Sequence, residues 1–520
     1  MQSLRPTLTN QKTFARHSRV IAWLSLTLTP VLAGIPSAWA AKPAAKAAPT
    51  QPIKMIDETW RDKQPAAGPE TVVQPPQPQR WTLPVGLEVV LLTRPQLPVV
   101  TLSFVFPGGN RLDPPGLQGQ TAACIDLATD GTKALDKIAW SEALADIAAS
   151  ITSWTSSEEM GFRASTLQEH LDRTLDLLAD AMTQPGLRQD EFDRLIAKRK
   201  AALQAQRGSP GAVGKRIASS VFWGPEHAYG QVSTEASYAK LKVDACQPLI
   251  SKQIVPGGAR LYVAGAIDRQ TLEPKLLRAF QNFSTWKGTV AASSDVGAAK
   301  PRKGQLFFVN VPGAAQSMVL VAHSGPARKS PDFDATSVLS SVLASGFASR
   351  INMNIREKHG YAYGAGGGFD YERLASLFVV QASVRADVTA ASISEILFEM
   401  KDIQTRPATS EELQREKEGA IRALPARWAN LASAIESFRI LDYFGLPADE
   451  YATRPARLAK IDSAQVQAAA LAHIRPQQVQ IVVVGDAATV LPQLQTLAKQ
   501  GLVQGEIQQL DTDGGALPSK

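Results

Sequence analysis

Hydrophobic and polar positions follow two periods along this chain. Between Arg80 and Arg111 the runs "LEVVLLT" and "VVTLSFVFPG" are dense in Val, Leu and Phe and bounded by turn residues, which predicts two adjacent strands joined by "RPQLP". Over residues 117–132 the spacing lengthens. Ala122, Ala123, Ile125, Leu127 and Ala128 fall on the apolar face of a helix that Gly131 is placed to end. "SEALADIAAS" predicts a second helix, "ITSWTSS" and "MGFRAST" short strands, and "LQEHLDRTLDLLADAMT" a long amphipathic helix. "QDEFDRLIAKRKAALQAQ" reads as a helix of mixed charge, and "ARLYVAGAI" as a buried strand.

The same order then recurs. "GQLFFVNVPGAAQSMVLVAHSGP" predicts two strands, "DFDATSVLSSVLASG" a helix, and "YAYGAGGGFDYERLASLFVVQASV" two more strands. "ASISEILFEMKDIQ" and "SEELQREKEGAIRAL" follow as helices, and "VQIVVVGDA" is the counterpart of "ARLYVAGAI". Elements in this order make an α+β fold, and their recurrence predicts a tandem duplication whose halves face each other around a central chamber. The boundaries read from composition are a first domain over 79–285, a linker over 286–300 in "KGTVAASSDVGAAKPRKG", a second domain over 301–505 and a tail over 506–520.

Length and composition narrow the class. At 520 residues the chain exceeds a single core, and 44% hydrophobic with 20% charged residues is ordinary for a globular protein. Arg5, Lys12, Arg16 and Arg19 precede the apolar run "VIAWLSLTLTPVLAGI", and "SAWA" follows it. That is the pattern of a secretory signal peptide over 1–40, cut after Ala40, in an exported or periplasmic protein. The run falls short of the roughly 20 residues a membrane span needs, so no span is expected after cleavage. Residues 41–78, rich in Ala, Pro, Lys and Gln, read as a leader or tether. The net charge of +7 is interleaved with acidic residues, so no nucleic-acid face is expected. Cys124 and Cys246 are the two cysteines. Cys124, on the apolar helix, reads first as a buried free thiol, with a bridge between the two left open.

"PVVTLSFVFPGGNRLDPPG", "GPEHAYG", "VPGAAQS" and above all "ASRINMNIREKHGYAYG" give the chain a resemblance to the insulinase/pitrilysin zinc peptidases, in their mitochondrial-processing-peptidase-like branch. The resemblance implies a LuxS/metallopeptidase-like fold in each half. Active members carry H-x-x-E-H on the opening helix, two histidines binding zinc and the glutamate polarising water. Counting back from Gly131-Thr132, the histidine positions fall on Ala122 and Asp126 and the glutamate position on Ile125. The third ligand is expected 75 to 80 residues further on, a window that reads without a carboxylate here. The six histidines are scattered, and none belongs to an H-x-x-E-H motif. Asp126, alone on its helix, is expected at the solvent side or bonded to a backbone donor. No metal is expected on this chain.

The resemblance also implies an Arg and, seven positions on, a Tyr that bind substrate backbone and oxyanion; these are Arg356 and Tyr363. Gly364, Gly366, Gly367 and Gly368 read as the strand along which an extended peptide approaches. Some family members work in pairs. A chain without metal ligands but with Arg356 and Tyr363 matches the subunit that completes a zinc-bearing partner carrying H-x-x-E-H, probed by a peptide or unfolded polypeptide substrate. Zinc is then expected on the partner. The alternative is an inert peptide-binding or scaffold protein of the envelope.

Overall fold

The computed structural model describes residues 74–281, 300 and 305–518 apart from 374 and 504, with isolated residues 61, 63, 65 and 68 before them. The expected signal segment over 1–40, nearly all of the expected leader and the expected linker up to residue 299 lie outside the described residues. Both sheets belong to one compact unit, residues 70–520.

The first sheet comprises β1 (Gln79–Thr82), β2 (Glu88–Thr93), β3 (Val99–Pro107), β4 (Ser150–Thr155), β5 (Glu159–Leu167) and β6 (Arg260–Gly265), in the order β1-β2-β6-β3-β5-β4. The second comprises β7 (Leu306–Asn310), β8 (Gln316–Ser324), β9 (Ala362–Tyr371), β10 (Ser376–Arg385), β11 (Gln480–Gly485) and β12 (Ile507–Leu510), in the order β12-β7-β11-β8-β10-β9. Superimposed in order, β2, β6, β3, β5 and β4 correspond to β7, β11, β8, β10 and β9. In each sheet the late strand runs parallel to one neighbour and antiparallel to the other. This is the duplication expected from the sequence. The strands expected to be adjacent, β2 and β3, are not. β6 is inserted between them, because a central strand buried on both faces takes the most apolar run available. The tail from 506 likewise differs from its expectation, supplying β12 at the edge beside β7.

The helices repeat in the same way. In the first half α1 (Gln120–Leu127) and α2 (Lys137–Ala145) follow β3, and α3 (Leu171–Thr183) and α4 (Gln189–Gln206) follow β5. Next, α5 (Pro210–Phe222), α6 (Glu235–Lys240) and α7 (Cys246–Gln253) lead to β6, which α8 (Arg269–Ala279) follows. In the second half α9 (Phe333–Ser340) and α10 (Arg350–Asn352) follow β8, and α11 (Thr389–Thr405) and α12 (Ser410–Ala423) follow β10. Then α13 (Leu431–Phe444), α14 (Glu450–Ala459) and α15 (Ser463–His473) lead to β11, and α16 (Ala487–Lys499) follows it.

Alternate residues of β6 point into different cores. Leu261 and Val263 pack with Leu175, Leu178 and Leu272 of the first half, whereas Tyr262 and Ala264 pack with Ala434, Ile435 and Phe438 of α13, a second-half helix. β11 does the converse. Ile481 and Val483 face second-half helices, and Val482 and Val484 meet Val213, Ile217 and Val221 of α5, a first-half helix. Each half therefore lends one helix to the other's sheet. Spacing of three and four residues puts each lent helix's apolar side chains on one stripe. Gly214 lets α5 come close: a Cβ there would lie 2.9 Å from both Met318 and Leu320 side chains. On the other side, the Tyr262 hydroxyl donates to Asp442 (2.8 Å), which also pairs with Arg80 (3.1 Å).

The helix exchange predicts that Phe438→Ala, far along the chain, weakens the first sheet. The cavity should cost about 3–5 kcal/mol, read by chemical denaturation. Amide exchange should rise in β2 and β6; a rise confined to second-half strands would contradict the reciprocal arrangement.

Candidate functional site

The opening helix α1 is set by the loop before it. Gly119 takes a left-handed conformation (φ 95°), and the buried Asp113 carboxylate accepts from the N–H groups of Gly119 and Thr121, each at 2.7 Å. Burial pushes the Asp113 carboxyl above its ordinary range, against the opposing hydrogen bonds from Thr121, Gly119 and Gln120. The helix stops at Leu127 with Ala128 as its cap, so Gly131 lies beyond its end and not at it. Gly131 (φ 140°) instead shapes the following turn, where a Cβ would meet the Leu135 carbonyl oxygen at 2.8 Å.

On this helix Ile125, at the glutamate position, is fully buried in the first core. Ala122 and Asp126, at the histidine positions, are partly exposed and four residues apart, hence on one face. Asp126 lies at the solvent side as expected, its side chain 41% exposed, and its partners are side chains and not a backbone donor. Its Oδ1 accepts from Ser153 Oγ of β4 (2.6 Å), and its Oδ2 pairs with Arg199 of α4 (2.5 Å). The charged helix α4, where active relatives would supply the third ligand, thus reaches the same spot with a guanidinium. Both Asp126 oxygens are engaged, and neither Ala122 nor Ile125 offers a donor. These residues do not fit a zinc ion. Among the described residues no group of three or more His, Cys, Asp or Glu side chains could hold a metal.

Cys124, on the opposite side of α1, is bonded to Cys246 at the start of α7, with a Cα–Cα distance of 4.9 Å. The buried free thiol expected there is corrected by this disulfide, whose partners the fold brings together across 122 residues. Closing a loop of that length is worth about 5 kcal/mol by the entropy it removes from the unfolded chain. Cys124 packs with Leu127, Phe192 and Leu203, so the bond ties α1 to the helices beneath it.

The counterpart of α1 in the second half is interrupted. After α9 the chain widens into a π-type turn over Ser341–Ser345, breaks, restarts as α10 and widens again over Met353–Lys358. Arg350 anchors the restart. Its guanidinium is buried and grips Glu412 through Nε and Nη2, both at 2.8 Å, while donating to the carbonyls of Arg406 (2.8 Å) and Pro407 (3.0 Å). Burial alone would raise the Glu412 carboxyl, but hydrogen bonds from Arg350 and the Thr409 N–H outweigh it and bring it down to about 2.

Arg356 sits in the second π-type turn. Its Nε pairs with Glu357 (3.1 Å), and its guanidinium lies over the exposed Phe347 ring, 4.7 Å from the centroid. Tyr363 is at the start of β9, 92% exposed. The π-type turn packs against β9, which places both residues on adjoining elements. Among the described residues β9 is the outer strand of its sheet, paired on one side to β10 alone. Gly364 and Gly366 have room for a side chain, their nearest neighbours being 3.6 and 3.7 Å from a Cβ. Gly367 has none, since a Cβ would fall 1.9 Å from the Val379 carbonyl oxygen of β10. Gly367 and Gly368 line a cavity of about 490 Å³ with Ser337, Ser340, Ser341 and Ser345. The glycine run is thus split between an open stretch beside Tyr363 and a stretch shaped by the sheet itself. The sequence pattern marks neither Arg199 nor Ser153 as a partner of Asp126, and it leaves the Cys124–Cys246 bridge open. A basic residue on α4 where a metal ligand was expected, opposite an acid at a histidine position, is the signal that marks the first.

Two outcomes follow. Because Glu412 is depressed when folded, its contribution is present above its unfolded range of about 4.3 and is lost as pH falls through about 2. Glu412→Gln should flatten that acid limb of the stability curve in urea titrations and destabilise the protein at neutral pH, where Arg350 is left unpaired. Adding zinc to the purified chain should leave its Tm unchanged, because only a ligand bound by the native state raises it; an upward shift would show a metal site in this chain.

Two family models match. The model described as insulinase (peptidase family M16) covers residues 88–222, and that described as peptidase M16 inactive domain covers 244–420, together more than half of the chain. An uncharacterized zinc protease of Streptomyces coelicolor is 24% identical over 292 residues, 55% of this chain; the match spans 63% of that protein's length. The non-peptidase homolog YmxG of Helicobacter pylori is 19% identical over 72% of this chain and 87% of its own. Among solved structures, the peptidase M16 inactive domain from Pseudomonas fluorescens aligns with TM-score 0.70 and 19% identity over 79% of this chain and 98% of that one. A protease from Helicobacter pylori aligns with TM-score 0.67 and 17% identity over 79% and 99%. With the repeated sheet order and the replaced metal positions, these matches make the chain a member of the insulinase family, as a homologue that lacks the zinc-binding motif.

Proposed function

We propose that this protein is exported and acts as the non-zinc subunit of a heteromeric peptidase, supplying Arg356 and Tyr363 to a homologous partner that carries H-x-x-E-H. The observation that carries the reading is the contrast between the two halves. At the metal positions both oxygens of Asp126 are engaged by Arg199 and Ser153, whereas the second half presents a partly exposed guanidinium and an accessible phenol beside a strand edge that is unpaired among the described residues. A cationic fork and a neutral donor on adjoining elements suit an extended peptide whose carbonyl gains negative charge. In this reading Arg356 and Tyr363 orient the peptide and stabilise that charge, and the free edge of β9 at Gly364 and Gly366 receives the peptide backbone. The metal chemistry belongs to the partner.

The export half of the proposal draws on the basic leader, the apolar run and the Ala38-Trp39-Ala40 site, and the Cys124–Cys246 bond suits an oxidising compartment. Among the described residues no helix is long and apolar enough to cross a membrane. The second reading is a catalytically inert peptide-binding or scaffold protein of the envelope. It is favoured by the name of the Helicobacter relative, a non-peptidase homolog.

The test is to capture the tagged chain from its own envelope fraction and assay peptide hydrolysis before and after salt strips bound proteins. The expected result is a co-purifying homologue with H-x-x-E-H and activity that requires both chains. Arg356→Ala should then lower kcat by about a hundredfold, the usual loss for one oxyanion donor. Capture of the chain alone, or hydrolysis indifferent to Arg356, would select the inert reading.

A further inference from the structure

Where the halves meet, one phenol oxygen lies between two carboxylates. Tyr443 Oη of α13 is 2.7 Å from Glu158 Oε2 and 2.9 Å from Glu372 Oε2. Glu158 belongs to the turn between β4 and β5, and Glu372 to the turn between β9 and β10, so the three residues join the first half, the second half and the lent helix. A phenol has one hydrogen to donate. It can satisfy one carboxylate; the other contact is a hydrogen bond only if that carboxyl brings a proton of its own.

The neighbours decide which one does. Arg373 lies against both oxygens of Glu158, at 3.0–3.3 Å, which marks Glu158, 2% exposed, as the carboxylate of the pair. Among the described residues Glu372 has no such guanidinium clasp, its side chain's hydrogen-bond partner being Tyr443. It is faced by Asp370 from β9, by Glu158 from the first half and by Arg439 from α13. Arg439 is already held by Glu159 and Glu436 and Arg373 by Glu158, while Arg111 of the first half faces Glu158 and Arg373. Asp370 and Glu158 add negative charge around a half-buried carboxyl.

We propose that Glu372 carries the second proton of this cluster at neutral and mildly acidic pH, and that its ionisation opens a pH-sensitive latch between the two halves. In the closed state the Glu372 carboxylic O–H donates to Tyr443 Oη, and the Tyr443 O–H donates to the Glu158 carboxylate. When Glu372 gives its proton to water, Tyr443 holds one hydrogen between two anions and one contact becomes repulsive. Independent support comes from burial, first, and the negative neighbours, which push Glu372 up to about 7 against the Tyr443 hydrogen bond, while Tyr443 itself is pushed far above the ordinary phenol range. A carboxyl raised on folding stabilises the closed form below its unfolded range and loses that contribution as pH rises through about 7.

The experiment is amide hydrogen exchange of the full chain between pH 5 and 8.5, corrected for the intrinsic rate. Protection at the two turns and along α13 should fall in the wild type by up to about tenfold per pH unit from the unfolded carboxyl range up to about 7, and level off above it. In Glu372→Gln, which keeps a donor at every pH, it should stay level. Protection that is level in the wild type, or that falls equally in the variant, overturns the latch. Should Glu372→Gln not fold, infrared spectra of wild type labelled with ¹³C-glutamate replace it. A protonated carboxyl at pH 6 that titrates near neutrality and is perturbed by Tyr443→Phe supports the proposal, and its absence refutes it.

Discussion

Everything in this molecule answers to one demand, that a central strand apolar on both faces be covered on both. β6 and β11 read "RLYVAG" and "QIVVVG", buried along nearly their whole length. A half-domain with helices on one side of its sheet would leave Tyr262 and Ala264, or Val482 and Val484, against water. Each half meets the demand with its neighbour's helix. The duplication is thereby more than a repeat of order: neither sheet is complete without residues from the other copy. The polar ties around Tyr262, Asp442 and Glu158 sit along the seam that this exchange creates.

Much of this was legible beforehand, and the gaps have physical causes. Continuous apolar runs announced strands with two covered faces, and their recurrence announced two sheets of one plan. What covers the second face is a long-range pairing that no local period encodes, so nothing in the pattern of α5 or α13 marks either as the cover of the other half's sheet. The adjacency of β2 and β3 failed for the same reason, since their separator arrives from the far end of the half. The Cys124–Cys246 bond depends on where α7 returns, which spacing alone left open.

At the site, the loss of metal ligands could be counted off from Gly131-Thr132 although the helix itself ends sooner. The replacement could not be counted. An isolated acid on an apolar helix demands a partner, but that Arg199 and Ser153 supply it requires α4 and β4 to be in place. The pair is not a neutral scar: it joins helix, strand and α4 where a cation would otherwise have done so. In the second half the wider π-type turns set Arg356 off the regular helical path, and its buried neighbour Arg350 fixes them from below.

The exchange of helices also bears on how the chain can be made. A nascent domain ordinarily completes its core once its own last strand has emerged. Here the first sheet has all of its strands by Gly265, yet the outer face of β6 stays uncovered until α13 is complete at Phe444. α5 in turn lacks the central strand it covers until β11 is complete at Gly485. The N-terminal half must therefore wait, with an apolar surface open to solvent, for a helix translated long afterwards, and the two halves reach their final state in a single late event.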